Sequence, residues 1–414
     1  MYAVLLLLAQ TQSSVDSLLD SAPLRGSIPG VYAMRLDGTE VASRFANTRL
    51  VPASNQKILT AVYAAATLGM DFRPRTRFWK EGDRFIVDAP GDPTITRAQL
   101  VAAKLALGIG SDAAIYVKQA YQPKVPPSWE YDDLPHRYAA RVTALSFDKG
   151  GFEIWTDNGK LRELDPAYRI NVRHFPGNGS AKVDYDPERR FAAVRGSLPD
   201  GDKMIEAFAL PDPDVIAARV LGGTIVRMEG ALPTRKPDYE LVGPTVREML
   251  KECLEKSDNN MAEHLLLMSA TRSKPLADPE YSDAAERLTA FLEGTVGLDK
   301  GSVRPNDGSG MSRHNFVTPK AMCQILAWAH KQSWRDDFLK ALAASGEGTL
   351  ASRLGSSSFV GKTGTLSAVI CLSGYVTTQS GRTLAVSLLF NHTISPSSEV
   401  RGLQDRVIAI LERG

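Results

Sequence analysis

The sequence predicts an α+β protein whose main domain is interrupted by a long insertion. A hairpin and an apolar helix open the chain, a stretch of short strands follows, and helices and strands return after it. With 414 residues, the chain has room for one to three domains. We expect the first and last strands to be neighbours in one sheet, because this pairing would bring the two halves of the split domain together.

The chain begins with a short apolar segment that ends at Ala9 and turns polar at Gln10. This segment is too short to span a bilayer, but its length suits the apolar part of a secretory signal. No basic residue precedes Arg25. We predict a signal segment over residues 1–20 with cleavage near Ala9, and the alternative is a buried or frayed apolar start. No later apolar stretch is long enough to predict an integral membrane span.

The first half of the split domain, residues 21–72, contains a predicted hairpin and a predicted helix. Val31–Leu36 and Glu40–Arg44 flank an Asp-Gly pair, which is typical of a two-residue hairpin turn. The helix runs from Pro52 to Leu68, with proline near its start and a glycine directly after it.

The insertion, residues 73–240, has a different sequence pattern from the two halves of the split domain. Short strand-like runs such as Ala114–Val117 alternate with turns rich in proline and glycine. One short helix is predicted at Thr96–Leu107. We therefore expect one or more mainly β domains in this part of the chain.

The second half of the split domain, residues 241–414, returns to helices and ends in a strand pair and a closing helix. The strands are Val369–Val376 and Thr383–Phe390, and the amphipathic helix Glu399–Arg413 follows them. Four helices are predicted before them, at Thr245–Lys256, Met261–Thr271, Asp283–Glu293 and Pro319–Lys331.

Composition excludes several classes of function. The 49 Lys and Arg residues are balanced by 47 Asp and Glu residues, so no strong basic field is available for nucleic acid, and no nucleic-acid partner is predicted. The six histidines lack metal-ligand spacing, and the three cysteines show no Cys-x-x-Cys pair, although one disulfide stays open as an alternative. No metal and no cofactor are predicted.

The strongest candidate for catalysis is Ser54-Asn-Gln-Lys57, at the start of the first predicted helix. Positions i and i+3 lie on one face of a helix, so the lysine can reach the serine oxygen. A partly desolvated lysine has a lowered pKa and can serve as a general base. A second copy, Ser146-Phe-Asp-Lys149, lies beside two glycines, where no helix would hold the pair together.

Two more motifs strengthen this candidate. Ser257-Asp-Asn259 lies between two predicted helices, and its amide could hold a substrate amide. Lys362-Thr-Gly364 precedes an apolar strand and offers a charge, a hydroxyl and an unobstructed backbone edge for an extended peptide. Each motif alone is more often a helix cap or a strand end, so the conjunction carries the prediction.

In this order, the three motifs resemble those of the penicillin-binding proteins and serine β-lactamases. Further stretches resemble the D-alanyl-D-alanine carboxypeptidase/endopeptidases called class C low-molecular-mass penicillin-binding proteins. These stretches are Gly91-Asp-Pro-Thr94, Asp307-Gly-Ser-Gly-Met-Ser-Arg-His314, Ser345-Gly-Glu-Gly-Thr-Leu350 and Gly361-Lys-Thr-Gly-Thr-Leu366 with Leu372-Ser-Gly-Tyr375. The resemblance implies a β-lactamase-like, penicillin-binding domain with a central antiparallel sheet flanked by helices, which residues 73–240 interrupt.

The resemblance also implies catalytic roles. Ser54 would be the acylated nucleophile and Lys57 its base. Ser257 would pass the proton to the leaving amine, and Asn259 would bind the substrate's peptide amide. Lys362 would supply positive potential near the substrate carboxylate and support Ser257.

Other implied residues bind substrate. The hydroxyls of Thr363 and Thr365 would hold the substrate carboxylate and backbone, beside the open backbone of Gly364. The oxyanion would lie between the backbone N–H groups of Ser54 and Thr365. Arg313 would bind a carboxylate on a stem-peptide side chain, with an ordinary surface salt bridge as the alternative.

The function implied is a serine D-Ala-D-Ala carboxypeptidase in the periplasm or another extracytoplasmic space, with endopeptidase activity on cross-bridges left open. Its partners would be peptidoglycan stem peptides, and β-lactam antibiotics would inhibit it covalently. No glutamate resembles the deacylating base of class A β-lactamases, which favours a peptidase that a β-lactam blocks. The alternatives are a β-lactamase or esterase of the same fold and a non-catalytic wall-binding protein.

Overall fold

The structure is a computed structural model that describes residues 2–273 and 278–414, with side chains from residue 8 onward. These residues form two compact units. The split unit comprises residues 2–72, 245–273 and 280–414 of the described chain, and the inserted unit comprises residues 73–244 with 278 and 279. The predicted insertion spans residues 73–240, and the inserted unit of the structure runs to residue 244.

The described residues form ten α-helices. In chain order they are α1 Tyr2–Leu19, α2 Gln56–Leu68, α3 Arg97–Leu107, α4 Pro213–Val220, α5 Val246–Glu255, α6 Asn259–Ser273, α7 Tyr281–Phe291, α8 Pro319–His330, α9 Arg335–Ala341 and α10 Ser397–Arg413.

Nineteen strands complete the described structure. They are β1 Ile28–Arg35, β2 Glu40–Arg44, β3 Arg75–Glu81, β4 Arg84–Ala89, β5 Ala113–Gln119, β6 Gly151–Asp157, β7 Lys160–Leu161, β8 Asn171–Ser180, β9 Lys182–Asp186, β10 Phe191–Ser197, β11 Lys203–Ala209, β12 Gly223–Arg227, β13 Tyr239–Val242, β14 Val303–Arg304, β15 Phe316–Val317, β16 Ala343–Ala344, β17 Val360–Leu366, β18 Val369–Thr377 and β19 Thr383–Asn391.

The split unit is built on a six-stranded antiparallel sheet in the order β16-β17-β18-β19-β1-β2. The first strand of the chain pairs with the last, from Ile28 opposite Asn391 to Arg35 opposite Leu384. This pairing confirms the predicted neighbours, and the α+β fold class is confirmed with it. The two ends of the sequence therefore close one sheet, as a split domain requires.

Helices cover both faces of this sheet. α8 packs against β1, β18 and β19, and α10 packs against β18. The apolar side of α10 is buried, with Val400, Val407 and Ile408 fully enclosed. The closing helix therefore packs as its apolar spacing predicts, and it begins two residues earlier than predicted, at Ser397.

The N-terminal helix α1 contacts β2 and α10. Val15, Leu18 and Leu19 lie in the same core cluster as the apolar side of α10, although they fall inside the predicted signal segment. A cleavage near Ala9 would keep all three side chains, whereas removal of all twenty residues would expose the core beneath them. None of the helices among the described residues has the length and apolarity needed to cross a bilayer.

The inserted unit contains a five-stranded sheet, β12-β5-β4-β3-β13, and two three-stranded sheets, β8-β10-β9 and β11-β6-β7. It ends later than predicted because β13 pairs with β3 at the sheet edge. The prediction of a single helix here is wrong, since α4 forms as well as α3. Pro213 lies in the first turn of α4. Proline is tolerated there because the N–H groups of the first turn make no hydrogen bond within the helix.

Candidate active site

Ser54 lies in a 3₁₀ turn, Ala53–Asn55, that leads directly into α2. Its side chain is partly exposed, whereas Lys57, one turn later, is completely buried. The Lys57 Nζ is 3.1 Å from the Ser54 Oγ. The structure therefore brings together a reachable hydroxyl and an enclosed amine, as the Ser-x-x-Lys spacing predicts.

Lys57 has two further hydrogen-bond partners. Its Nζ donates to the Asn259 Oδ1 at 2.7 Å and to the Ser309 carbonyl oxygen at 2.8 Å. Both of these oxygens can only accept, whereas the Ser54 hydroxyl can also donate. A neutral lysine has two N–H groups for the two acceptors and one lone pair for the serine proton. The geometry thus suits the form of lysine that can act as a base.

Burial lowers the pKa of Lys57, and the nearby Cys253 and Asp307 oppose this shift. The pKa of Lys362 lies well below its usual range, because of burial first and the charge of Lys57 second. Burial is therefore the main cause of the lowered pKa of Lys57, whereas the repulsion between the two amines lowers the pKa of Lys362.

Lys362 lies on β17, completely buried, with its Nζ 3.0 Å from the Thr363 carbonyl oxygen. The Asn55 Nδ2 donates to the Lys362 carbonyl oxygen at 2.9 Å and ties the Ser54 turn to the strand. At Gly364, an added Cβ would come within 3.1 Å of the Ser54 backbone nitrogen. A side chain at this position would therefore fill the space next to the nucleophile.

β17 pairs along its whole length with β18, from Val360 to Leu366. On its other side, β16 pairs only with Val360 and Gly361. Among the described residues, the backbone from Lys362 onward therefore has an unpaired edge next to Ser54. An edge of this kind can accept an extended peptide as an additional strand.

Ser257 lies in the short connection between α5 and α6, with φ at 62°, in the left-handed region. Asp258 caps α6 by accepting the N–H of Met261 at 2.9 Å, so the helix begins at Asn259 with its side chain on Lys57. The Asn259 Nδ2 also lies 2.9 Å from the Met311 Sδ. The motif therefore works as a helix start and as part of the site at the same time.

A loop from Asp307 to Asn315 brings the Ser309 carbonyl to Lys57. The carboxylate of Glu263, completely buried on α6, accepts the N–H groups of Gly308 and Ser309 at 2.8 and 2.7 Å. Burial and the charge of Asp307 raise the pKa of Glu263 to about 8. The Glu263 carboxylate thus fixes the backbone of the loop at Gly308 and Ser309. This residue was not identified from the sequence.

Asp307 fixes the same loop from within. Its carboxylate accepts the N–H groups of Gly310 and Ser312, each at 2.7 Å, and the Asn315 side-chain amide at 2.8 Å. Asp307 is completely buried. These hydrogen bonds lie within the loop from Asp307 to Asn315, so side chains of the loop itself fix the position of its backbone oxygens.

The remaining predicted binding residues lie along β17 and beyond its end. Thr363 is partly exposed and Thr365 is exposed. The Arg313 Nη1 donates to the Ser367 carbonyl oxygen at 3.1 Å, and the Arg401 Nη2 donates to the Thr365 Oγ1 at 3.3 Å. Arg401 was not identified from the sequence, because it lies on the closing helix far along the chain.

The second Ser-x-x-Lys copy lies in the inserted unit. Ser146 is completely buried, and Lys149 has φ at 54° within a short turn at Asp148–Gly150. No α-helix joins the two residues, as expected. Cys253, Cys323 and Cys371 are buried free thiols, so the open alternative of a disulfide is not realised. Within the described ranges, no cluster of side chains suits a metal ion.

A buried lysine beside a serine, an asparagine from a second helix and a Lys-Thr-Gly strand define the serine-nucleophile class to which penicillin-binding proteins belong. The family model described as the D-Ala-D-Ala carboxypeptidase 3 (S13) family matches residues 11–411. The chain belongs to this family. The resemblance seen in the sequence is confirmed, and the protein is an enzyme of the serine-type D-Ala-D-Ala carboxypeptidase class.

Individual relatives agree with this assignment. A D-alanyl-D-alanine carboxypeptidase from an Actinomadura species is 28% identical over 94% of this chain and 82% of its own. The D-alanyl-D-alanine carboxypeptidase DacB of Haemophilus influenzae is 24% identical over 91% of this chain and 88% of its own. The crystal structure of penicillin binding protein 4 from Haemophilus influenzae has the same fold, with a TM-score of 0.81, 21% identity and coverage of 97% and 99% of the two chains.

Proposed function

We propose that this protein removes the terminal D-alanine from peptidoglycan stem peptides through an acyl-enzyme on Ser54, outside the cytoplasm. The observation that carries the proposal is the set of three partners around the Lys57 Nζ. Two of them accept only and the third is the nucleophile, so a neutral lysine is oriented with its lone pair toward the serine proton. The lowered pKa of Lys57 makes that neutral form accessible.

In the acylation step, Lys57 takes the proton as the Ser54 Oγ attacks the carbonyl carbon before the last residue. Negative charge develops on the carbonyl oxygen between the N–H groups of Ser54 and Thr365. Such donors are worth about 3 to 4 kcal/mol each in comparable sites. Gly364 permits the close approach of this strand to the Ser54 turn.

The peptide would lie along the unpaired edge of β17, with the amide of Asn259 and the hydroxyl of Thr363 as additional partners. Ser257 would deliver a proton to the departing D-alanine amine, with Lys362 supporting it. Water then releases the shortened peptide from Ser54. The same acylation by a β-lactam would leave a long-lived adduct, since no deacylating glutamate is assigned. Cleavage of cross-bridges would follow the same steps with a longer leaving group.

Mass spectrometry after incubation with benzylpenicillin tests this proposal. We expect one covalent adduct whose mass equals that of the protein plus intact benzylpenicillin and does not change with time. We also expect release of D-alanine from an acyl-D-Ala-D-Ala peptide. Rapid loss of the adduct with formation of penicilloic acid would instead indicate a β-lactamase. An absence of both adduct and D-alanine release would indicate a non-catalytic wall-binding protein.

The rate of acylation should depend on the ionisation of Lys57. Its neutral form is the base, and burial lowers its pKa, so the rate should rise with pH through a midpoint below the usual lysine value of about 10.4. The rate constant for labelling by a fluorescent penicillin, measured across the stable pH range, checks this. Lys57→Arg should abolish acylation at every pH, because arginine stays protonated. A rate that stays flat until about pH 10 would remove Lys57 from the base role.

Arg313 should set a preference for stem peptides with a carboxylate on the third residue's side chain. Its guanidinium has a fork that matches a carboxylate, and its bond to the Ser367 carbonyl holds it just beyond the end of β17. We expect about a tenfold to hundredfold higher kcat/KM for acidic than for neutral peptides. Arg313→Ala should remove this preference and leave acylation by simple penicillins unchanged. Equal kcat/KM for the two peptides in the unmutated protein would make Arg313 a structural residue.

A further inference from the structure

Glu263 is a completely buried acid on α6, and it has no ion pair among the residues whose side chains are described. Acids are almost never fully buried unless they are paired. The partners of Glu263 are two backbone groups instead. Its Oε2 accepts the N–H of Gly308 at 2.8 Å, and its Oε1 accepts the N–H of Ser309 at 2.7 Å. The turn at these two residues therefore accounts for a charge in this position.

The turn at Gly308 and Ser309 lies between α6 and α2. On the side of α6, a Cβ added at Gly308 would lie 2.7 Å from the Ala262 carbonyl oxygen. On the side of α2, the Thr60 Oγ1 donates to the Gly308 carbonyl oxygen at 2.7 Å, and the Lys57 Nζ donates to the Ser309 carbonyl oxygen at 2.8 Å. The N–H groups of the turn thus face the acid on α6, and its carbonyl oxygens face donors on α2.

Glu263 and Lys57 are therefore connected through a single residue, Ser309. Glu263 holds the N–H of this residue, and the carbonyl oxygen of the same residue accepts from the Lys57 amine. The next peptide group is fixed separately, because the Gly310 N–H donates to the Asp307 carboxylate at 2.7 Å. Without Glu263, the backbone that carries the Lys57 acceptor would be held by Asp307 from one side only.

Glu263 also acts on Lys57 through its charge. A carboxylate near a buried amine favours the protonated amine, and Glu263 shifts the pKa of Lys57 upward in this way, against the larger effect of burial. The pKa of Glu263 is about 8, so the carboxylate gains its charge near this pH and then opposes the loss of the proton from Lys57. The other titratable groups that interact with one or both of these residues are Cys253, Asp258, Asp307 and Lys362.

We propose that Glu263 is a positioning residue of the acylation reaction, which holds the acceptor that orients the Lys57 amine and stabilises the protonated amine by its charge. This inference rests on the proposed function, in which neutral Lys57 takes the proton of Ser54. None of the described hydrogen bonds joins Glu263 to either residue, so its effect reaches them through the turn and through charge. The protonated Lys57 that forms as Ser54 attacks is the species that a nearby carboxylate stabilises.

The test is the pH profile of acylation by a fluorescent penicillin in Glu263→Gln. Glutamine keeps the shape, removes the charge and offers one acceptor oxygen for the two N–H groups. We expect the midpoint to move to lower pH by about one unit and the plateau rate to fall about tenfold to a hundredfold.

Two further variants separate the contributions. Glu263→Asp keeps the charge but is one methylene group shorter, so the midpoint should stay near that of the unmutated protein while the plateau rate falls. Glu293→Gln is the matched control, because Glu293 accepts the N–H of Gly301 at 3.1 Å and so holds a different loop of the split unit. It should change neither the midpoint nor the plateau. Circular dichroism and denaturant unfolding confirm that the rates belong to folded protein.

A lower plateau with an unmoved midpoint in Glu263→Gln would overturn the inference, because it would mean that Glu263 only supports the loop. An unchanged plateau would overturn it as well. If Glu263→Gln does not fold, an unchanged plateau in Glu263→Asp is the outcome that overturns it. If the unmutated protein is not acylated, the proposed function fails, and the effect of Glu263 on Lys57 is decided by NMR titration of labelled lysine, with the Lys57 signal assigned from Lys57→Arg. A lower pKa of Lys57 in Glu263→Gln supports this effect, and an equal pKa overturns it.

Discussion

Ser54→Ala should abolish both the covalent labelling by penicillin and the release of D-alanine. The Ser54 Oγ is the partly exposed hydroxyl next to the buried Lys57 amine, and alanine leaves no atom to carry the acyl group. Loss of the nucleophile in serine hydrolases lowers kcat on the order of 10⁶-fold. Mass spectrometry of the variant with benzylpenicillin and a D-alanine release assay measure the two losses.

The control for this variant is Ser146→Ala, in the second Ser-x-x-Lys copy. Ser146 is completely buried, and its Oγ has no hydrogen-bond partner among the residues that the structure describes, so removing the hydroxyl should leave labelling and D-alanine release intact. An adduct on the Ser54→Ala protein would show that another residue is the nucleophile. Peptide mapping of the adduct would then identify that residue.

Much of the split unit could be predicted from the sequence, because its signals are local. The apolar spacing of α10 and the hairpin of β1 and β2 follow from patterns within single segments. The pairing of the terminal strands follows from the need to join the two halves of the split domain. The motif residues Ser54, Lys57 and Asn259 also meet as predicted. Lys57 contacts both partners at hydrogen-bond distance, although Asn259 is some two hundred residues away in sequence.

The groups that the sequence did not identify act through the backbone or from a distance. The third partner of Lys57 is a main-chain oxygen of Ser309, which any residue type could supply. Glu263, which holds that turn, lies beside His264 within a stretch of α6 whose other residues are apolar, and a charged residue in such a stretch is the one signal that could have indicated a buried role. Arg401 required knowledge of the register between α10 and β18, which periodicity alone does not provide.

The turn that carries the Ser309 carbonyl approaches the Ser54 turn so closely that Gly310 cannot carry a side chain. Its φ is 87°, and an added Cβ would lie 1.9 Å from the Ala53 carbonyl oxygen and 2.9 Å from the Gln56 Cβ. Ala53 itself has φ at 47°, so the turn before the nucleophile is already in the left-handed region. A movement of either turn would therefore shift Ser54 or the Ser309 carbonyl oxygen that accepts from Lys57.

Gly310→Ala should therefore damage stability and activity together. The left-handed backbone costs about 1 to 2 kcal/mol for a residue with a Cβ, and the overpacking adds about 1 to 3 kcal/mol. A displacement of about 1 Å between reacting groups can lower a rate about a hundredfold, so we expect the penicillin acylation rate to fall by about that factor in the protein that stays folded. Denaturant unfolding and the labelling rate of the folded fraction measure the two effects.

The matched control is Gly381→Ala, in the turn between β18 and β19. Gly381 has φ at 78°, close to that of Gly310, but an added Cβ would meet no atom within 4 Å. This variant should lose only the backbone contribution of about 1 to 2 kcal/mol and keep its full acylation rate. The difference between the two variants isolates the contact with the Ala53 carbonyl. If Gly310→Ala were acylated as fast as Gly381→Ala, the close packing of the two turns would not be what positions Ser54 and Lys57 for the reaction.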